Sequence, residues 1–277
     1  MLASMPVEYL WLVPLAFVLG AYGTLIGSGG GFVLVPVLLM LYPGEKTEII
    51  TGISLAVVFF NALSGTIAYA RLRRIEYRSG LTFSAATIPG AILGALATSY
   101  FPRRIFDGFF GLLLIAASIY LSVRPGIRTH GERPCPPNHR ECVVTESNGT
   151  VHRFSYHQPL GIAMSVAIGF FSSLLGIGGG VIHVPVLVQL LNFPVHVATA
   201  TSQLVLTIMA LAGTLTHVAA GTFTSGFRRT IMLAIGVTLG AQLGAWLSCR
   251  AQGSWIIRGL AIALGAVGIR LVMTVLS

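Results

Sequence analysis

The chain has 277 residues, 55% of them apolar and only 9% charged, and its mean hydropathy is +0.84. A soluble domain carries about 25% charged residues, so the composition excludes one and describes an integral membrane protein. The net charge of +9 comes from sixteen arginines and one lysine against eight acids. Between apolar blocks, arginines anchor loops on the cytoplasmic side of a membrane or draw an anionic solute or lipid, and nucleic acid is not expected as a partner. Three cysteines, Cys135, Cys142 and Cys249, make no disulfide framework.

Windows nearly free of charge recur at 9–27, 49–70, 81–101, 105–123, 159–177, 198–220, 230–249 and 255–276. About 20 apolar residues span a bilayer as helix, so each is a membrane candidate. Nothing basic precedes the first block and Glu8 stands where a positive n-region belongs, so it reads as a retained helix rather than a cleaved signal. It runs into Gly27-Ser28-Gly29-Gly30-Gly31 and on to Pro36. Each glycine costs roughly 1 kcal/mol against Ala in a helix and the proline removes a donor, so the helix should break there and restart. The following piece, 32–42, covers about 18 Å at about 1.5 Å per residue. That is too short for a core of about 30 Å, and it reads as a half-helix or re-entrant limb. Pro43-Gly44-Glu45-Lys46-Thr47 is a turn. The helix over 49–70 ends in Arg71-Leu72-Arg73-Arg74-Ile75-Glu76-Tyr77-Arg78, the densest basic run. Two more helices follow, separated by Pro102-Arg103-Arg104. Val123 to Gln158 is polar, loses periodicity and reads as a linker.

The pattern then returns. Gly176-Ile177-Gly178-Gly179-Gly180 with Pro185 answers the first cluster, and Gly20 is answered by Gly169. Thr199-Ala200-Thr201-Ser202 answers Thr51-Gly52-Ile53-Ser54. Further on, Gly213 answers Gly65, and Gly240/Gly244 answer Gly90/Gly94. The expected fold is an all-α integral membrane protein of 8–10 membrane helices, built from two tandem-duplicated repeats with Gly-broken helices near the midplane. Its parts are 1–122 and 159–277 as the repeats and 123–158 as a cytoplasmic linker. Five crossings per unit would invert the second repeat, whereas four, with a re-entrant limb, would leave it parallel. Arginine placement does not separate these. Inverted halves are preferred, because two breaks meeting from opposite sides make a shared site. Both arrangements put the Arg71–Arg78 loop and the linker in the cytoplasm of a cell inner membrane.

Breaking a helix frees N–H groups and a positive dipole end, which suit an anion. The candidate substrate-binding residues are therefore Gly27, Ser28, Gly29, Gly30 and Gly31 with Gly176, Gly178, Gly179 and Gly180. Thr51, Ser54 and Asn61 share one helix face by their spacing, and Thr199, Ser202 and Gln203 are their counterparts. His183 and His217 complete the set, as intramembrane histidines that need a partner or a cavity. Gly90/Gly94 and Gly240/Gly244 read as packing positions. No Asp or Glu follows Glu146, and every earlier one except Asp107 lies at a block edge or in a loop. Cation sites and acidic proton relays are thus disfavoured. The spans hold no metal-ligand cluster, nucleophile–base pair or carboxylate dyad, so neither an enzyme, a metal nor a cofactor is expected. In the linker, Cys135 and Cys142 with His130, His139, His152 and His157 fit no familiar zinc spacing. Asn148-Gly149-Thr150 is an acceptor sequon that a cytoplasmic loop would not use.

The doubled Gly-x-Gly-Gly-Gly motif with its proline, each copy followed by a Thr-x-x-Ser helix, resembles the TauE/SafE family of membrane permeases. The resemblance covers roughly 10–122 and 159–276. It implies export or uptake of small sulfur-containing anions such as sulfite, thiosulfate or organosulfonates, without ATP hydrolysis in this chain. The residues it carries over are Gly27, Gly29, Gly30, Gly31, Pro36, Gly176, Gly178, Gly179, Gly180 and Pro185. The individual solute does not carry over, because members with near-identical motifs are assigned different ones. The linker is not part of the family pattern. The expected protein is a secondary carrier working by alternating access, with an anion channel of the same architecture as the alternative. Its partners are a small anionic solute and the bilayer, and a homodimer is compatible with it.

Overall fold

A computed structural model describes residues 9–42, 44–100, 103–123, 139–221, 226–250 and 253–276. Ten helices and one hairpin make up these parts. They are α1 (Leu12–Ile26), α2 (Gly31–Leu41), α3 (Thr47–Arg71), α4 (Tyr77–Ala97), α5 (Arg103–Val123), β1 (His139–Thr145), β2 (Val151–His157), α6 (Gln158–Leu175), α7 (Gly180–Pro185), α8 (Val195–Ala219), α9 (Phe227–Ser248) and α10 (Gly253–Leu276). A π-helical stretch, Val186–Leu190, continues α7. The protein is a helical membrane protein. Five of its helices, Thr47–Arg71, Tyr77–Tyr100, Gln158–Leu175, Val195–Ala219 and Phe227–Ser248, are long and apolar enough to cross a bilayer. Large apolar side chains such as Leu93, Leu112, Leu239, Ile262 and Met273 point outward, as helices bathed in lipid require.

The helix pairings are reciprocal. α1 lies on α9 and α6 on α4, α3 lies on α9 and α8 on α4, while α3 pairs with α8 and α5 with α10. Small residues set the first two contacts. A Cβ on Gly240 or Gly244 would overlap the carbonyls of Phe17 or Ala21, and one on Gly90 or Gly94 those of Val166 or Phe170. Backbones in such contact gain dispersion energy that lipid cannot supply. α3 and α8 cross antiparallel at the centre, with Thr66 Oγ1 and Thr207 Oγ1 3.1 Å apart.

Aromatic contacts show at which end each broken pair enters and leaves. Tyr9, ahead of α1, and Tyr42, at the end of α2, face the same guanidinium, that of Arg229, at 6.0 and 3.9 Å from their ring centroids. Arg229 Nη1 also donates to Glu45 Oε1 at 2.9 Å. The α1–α2 pair therefore enters and leaves at one end of the molecule. Tyr156, ahead of α6, and Phe193, beyond α7, likewise pack together, with centroids 5.2 Å apart, at the end where the hairpin sits. The α6–α7 pair therefore also enters and leaves at one end. The two pairs enter at opposite ends of α9, the first beside Arg229 and the second beside the hairpin, where Arg74 also meets Ser248. Pro36 and Pro185 lie inside the restarted helices, not at the breaks.

The linker reading missed the hairpin. β1 and β2 pair antiparallel from His139↔His157 to Thr145↔Val151, closed by a turn in which Gly149 takes φ 85°. Asn-Gly between alternating apolar residues is a strong hairpin signal, and it lies within the tripeptide read only as an unused sequon. Cys135 and His130, like the side chain of Asp107, lie outside the described residues. The hairpin docks on the α3–α4 loop. Ser147 N donates to Leu72 O at 3.0 Å, and Arg74 Nε donates to Glu146 Oε2 at 2.9 Å. Tyr156 packs edge-on against Phe83, with its hydroxyl 2.6 Å from Ser79 Oγ. Burial pushes the Tyr156 phenol and the Cys142 thiol up from their ordinary pKa values. Tyr156→Phe removes the hydroxyl contact and is expected to weaken docking by about 1 kcal/mol. Alkylation of the buried Cys142, about fivefold faster in the variant, is the readout.

Candidate functional site: the crossing of two broken helices

α1 stops because Gly27 takes φ 81° and α6 because Gly176 takes φ 70°. This left-handed cap is natural to glycine. Gly30 and Gly179, at φ 77° and 75°, then turn the chain into α2 and α7. The two breaks lie against each other. A Cβ on Gly31 would come 2.7 Å from Ile177 O, and one on Gly180 would come 2.5 Å from Ser28 Cα and overlap Gly27 O. Any side chain at these two positions would hold the breaks apart.

α3 and α8 clamp the crossing. Ser54 Oγ donates to Gly176 O at 2.6 Å, and Ser202 Oγ donates to Gly27 O at 3.1 Å. Thr51 and Thr199 lie against the same two glycines, and their hydroxyls bond back to Glu48 O and His196 O, both at 3.0 Å. All the residues read from the sequence are buried. The two Gly clusters, Ser28, Thr51, Ser54, Thr199 and Ser202 are brought together at the crossing, with Asn61 and Gln203 beside it. The four α3 and α8 hydroxyls spend their protons on the protein itself. His183 lies on α7 with its ring edge-on to Phe83, centroids 6.1 Å apart. His217 lies away from the glycine clusters, against Gly52 near the start of α3.

Hydrogen-bonding capacity remains elsewhere. The N–H groups of Gly30, Gly31 and Phe32 at the head of α2 make no hydrogen bond among the described residues, nor do those of Gly178, Gly179 and Val181. Buried side-chain atoms without a partner include Asn61 Nδ2, Gln203 Oε1, Ser172 Oγ, Ser173 Oγ and His183 Nδ1. A buried backbone N–H is normally paired, so this cluster has donors to offer to a group that accepts. The head of α2 adds a partial positive charge, and the described carboxylates, Glu45, Glu48, Glu76, Glu141 and Glu146, all lie in loops, helix starts or the hairpin. Thr24, Ser172 and Ser173 were not singled out in the sequence. Their signal is position, since each falls three or four residues before the first glycine of a cluster, in the last turn of the incoming helix.

The structure is that of a multi-pass helical membrane protein, and comparison with known proteins gives its class. The family described as "Sulfite exporter TauE/SafE" matches residues 12–271. The "Probable membrane transporter protein YunE" of Bacillus subtilis (strain 168) is 31% identical over 273 residues, 96% of this chain and 97% of that protein. The "Probable membrane transporter protein MJ0441" of Methanocaldococcus jannaschii is 25% identical over 285 residues, 97% of this chain and 98% of that protein. No solved structure matches the chain. The chain belongs to the TauE/SafE family of membrane transporters.

Proposed function

We propose that the protein is a secondary carrier for a small, sulfur-containing anion, which binds where the two broken helices cross. The observation that carries this reading is the set of six N–H groups at the crossing that make no hydrogen bond among the described residues, none of whose carboxylates lies there. An anion is the occupant such a site stabilises, because donors and a helix N-terminus replace its hydration shell. The sulfur chemistry rests on the family description. The reciprocal pairings and the opposite entry ends of the two broken pairs support an inverted duplication, 1–122 and 159–277 about a linker over 123–158. Two such units rocking about one site is alternating access.

The face that bears the hairpin also bears Arg71, Arg73, Arg74, Arg78, Arg140, Arg153 and Arg250. By the excess of basic residues on cytoplasmic loops, this face and the linker lie in the cytoplasm, in the cell inner membrane. An inside-negative potential then favours export, by about 2.3 kcal/mol per charge per 100 mV. The test is initial-rate uptake of sulfite, thiosulfate and sulfoacetate into liposomes containing the purified protein. Saturable uptake of at least one is expected. Uptake linear in concentration would mark a channel, and no uptake of any would sink the anion reading.

A further inference from the structure

Two corresponding places flank the crossing, and their chemistry differs. Beside the first break, Thr24 Oγ1 donates to Asn61 Oδ1 at 3.2 Å, and Gln203 Nε2 reaches Gly23 O at 3.5 Å. Gly65 leaves room for both, since a Cβ on it would lie 3.1 Å from Thr24 Cγ2 and 3.2 Å from Gln203 Oε1. Beside the second break Gly213 stands where Gly65 does. Its Cβ would meet Leu55 Cδ1 at 3.0 Å and Ser173 Oγ at 3.1 Å, and Met209 Sδ faces Gly179 nearby. A pair of carboxamides on one side is thus answered by a leucine and a thioether on the other.

Asn61 and Gln203 are both fully buried, yet Asn61 Nδ2 and Gln203 Oε1 have no partner. The orientation of Gln203 follows from its neighbour. Gly23 O can only accept, so the amide nitrogen must face it and the amide oxygen must face away. Of the two spare groups one is therefore an acceptor, and an occupant built of acceptors alone would leave it unsatisfied.

Building on the anion-carrier reading, we infer that the solute carries its own hydrogen-bond donor. Its O–H or N–H is held by Gln203 Oε1 and one of its oxygens by Asn61 Nδ2, and this one-sided pair selects against anions that only accept. Singly protonated sulfite and hydroxyl-bearing alkylsulfonates belong to this class. Sulfate, thiosulfate and plain alkylsulfonates do not at neutral pH. Selection by a buried polar group left unpaired is stronger than selection by shape.

The experiment compares 2-hydroxyethanesulfonate with ethanesulfonate, which share a charge and differ by one hydroxyl, as inhibitors of sulfite uptake in proteoliposomes. The hydroxyl-bearing anion is expected to inhibit at least tenfold more strongly. Gln203→Leu should reduce that ratio to near one, while Leu55→Met, at the corresponding place, should leave it intact. Should Gln203→Leu not fold, the wild-type ratio decides alone. Sulfite inhibition of its own tracer that follows the singly protonated fraction across neutral pH identifies the inorganic member of the class. Equal inhibition by the two sulfonates overturns donor selection while leaving the carrier standing. Absence of uptake and of inhibition by any of these anions overturns the carrier reading and this inference with it.

Discussion

Gly180→Ala is expected to lower solute transport about a hundredfold in protein that still folds. Gly180 opens α7 at a backbone conformation any residue can adopt, and Ala is the better helix former by about 1 kcal/mol. Its methyl, however, would overlap Gly27 O and lie 2.5 Å from Ser28 Cα. The two breaks must then move apart, at a cost of about 1–3 kcal/mol for overpacking. The N–H groups of the two breaks then shift relative to each other, and a displacement of about 1 Å at a positioned site can remove two orders of magnitude in rate. Gly31→Ala, whose methyl would sit 2.7 Å from Ile177 O, should act in the same direction. Gly44→Ala, with nothing within 4 Å, should be silent. Initial rates at matched protein incorporation, read beside melting temperature, decide this. Wild-type transport by Gly180→Ala would return the contact to simple packing.

The second large effect concerns the hairpin. Arg74 and Glu146 keep only 7% and 4% of their side-chain surface exposed. Glu146 also meets His152 Nε2 at 2.9 Å, and Arg74 Nη1 donates to Ser248 Oγ at 3.2 Å. Removing one member of a buried pair strands the other, at about 3–5 kcal/mol. Glu146→Ala should therefore undock the hairpin without unfolding the bundle, because its apolar hold is the small set of Tyr156, Phe154, Cys142 and Val144. With Cys135 and Cys249 replaced by serine, alkylation of Cys142 should quicken by a hundredfold or more. Unchanged labelling would mean that the aromatic contacts alone fix the hairpin.

What was legible in the sequence was whatever repeats or has a period. The charge-free windows at 49–70 and 198–220 became α3 and α8. Gly27 and Gly176 ended their helices because left-handed caps favour glycine, and Gly90/Gly94 and Gly240/Gly244 became positions where a Cβ would overlap a neighbouring helix's carbonyl. Direction was not legible. Whether α2 returns to the face α1 entered depends on the Tyr9–Arg229–Tyr42 contact, which joins residues over 180 positions apart. The roles of Ser54 and Ser202 were half legible. Their spacing put them on the right face, but only the carbonyls of Gly176 and Gly27 show where their protons go. The hairpin was readable in Asn148-Gly149 and passed over because the surrounding polarity masks a two-residue period.

The most direct test of the crossing as the solute's route is a single cysteine, Ser28→Cys, in an otherwise cysteine-free protein. Ser28 is fully buried and touches the head of α7. A sulfonate-bearing methanethiosulfonate is itself a small sulfur anion. It should modify this thiol from either face of the membrane, abolish transport, and be slowed by saturating substrate. A thiol that stays inert while transport proceeds, or is modified without loss of transport, would contradict the account.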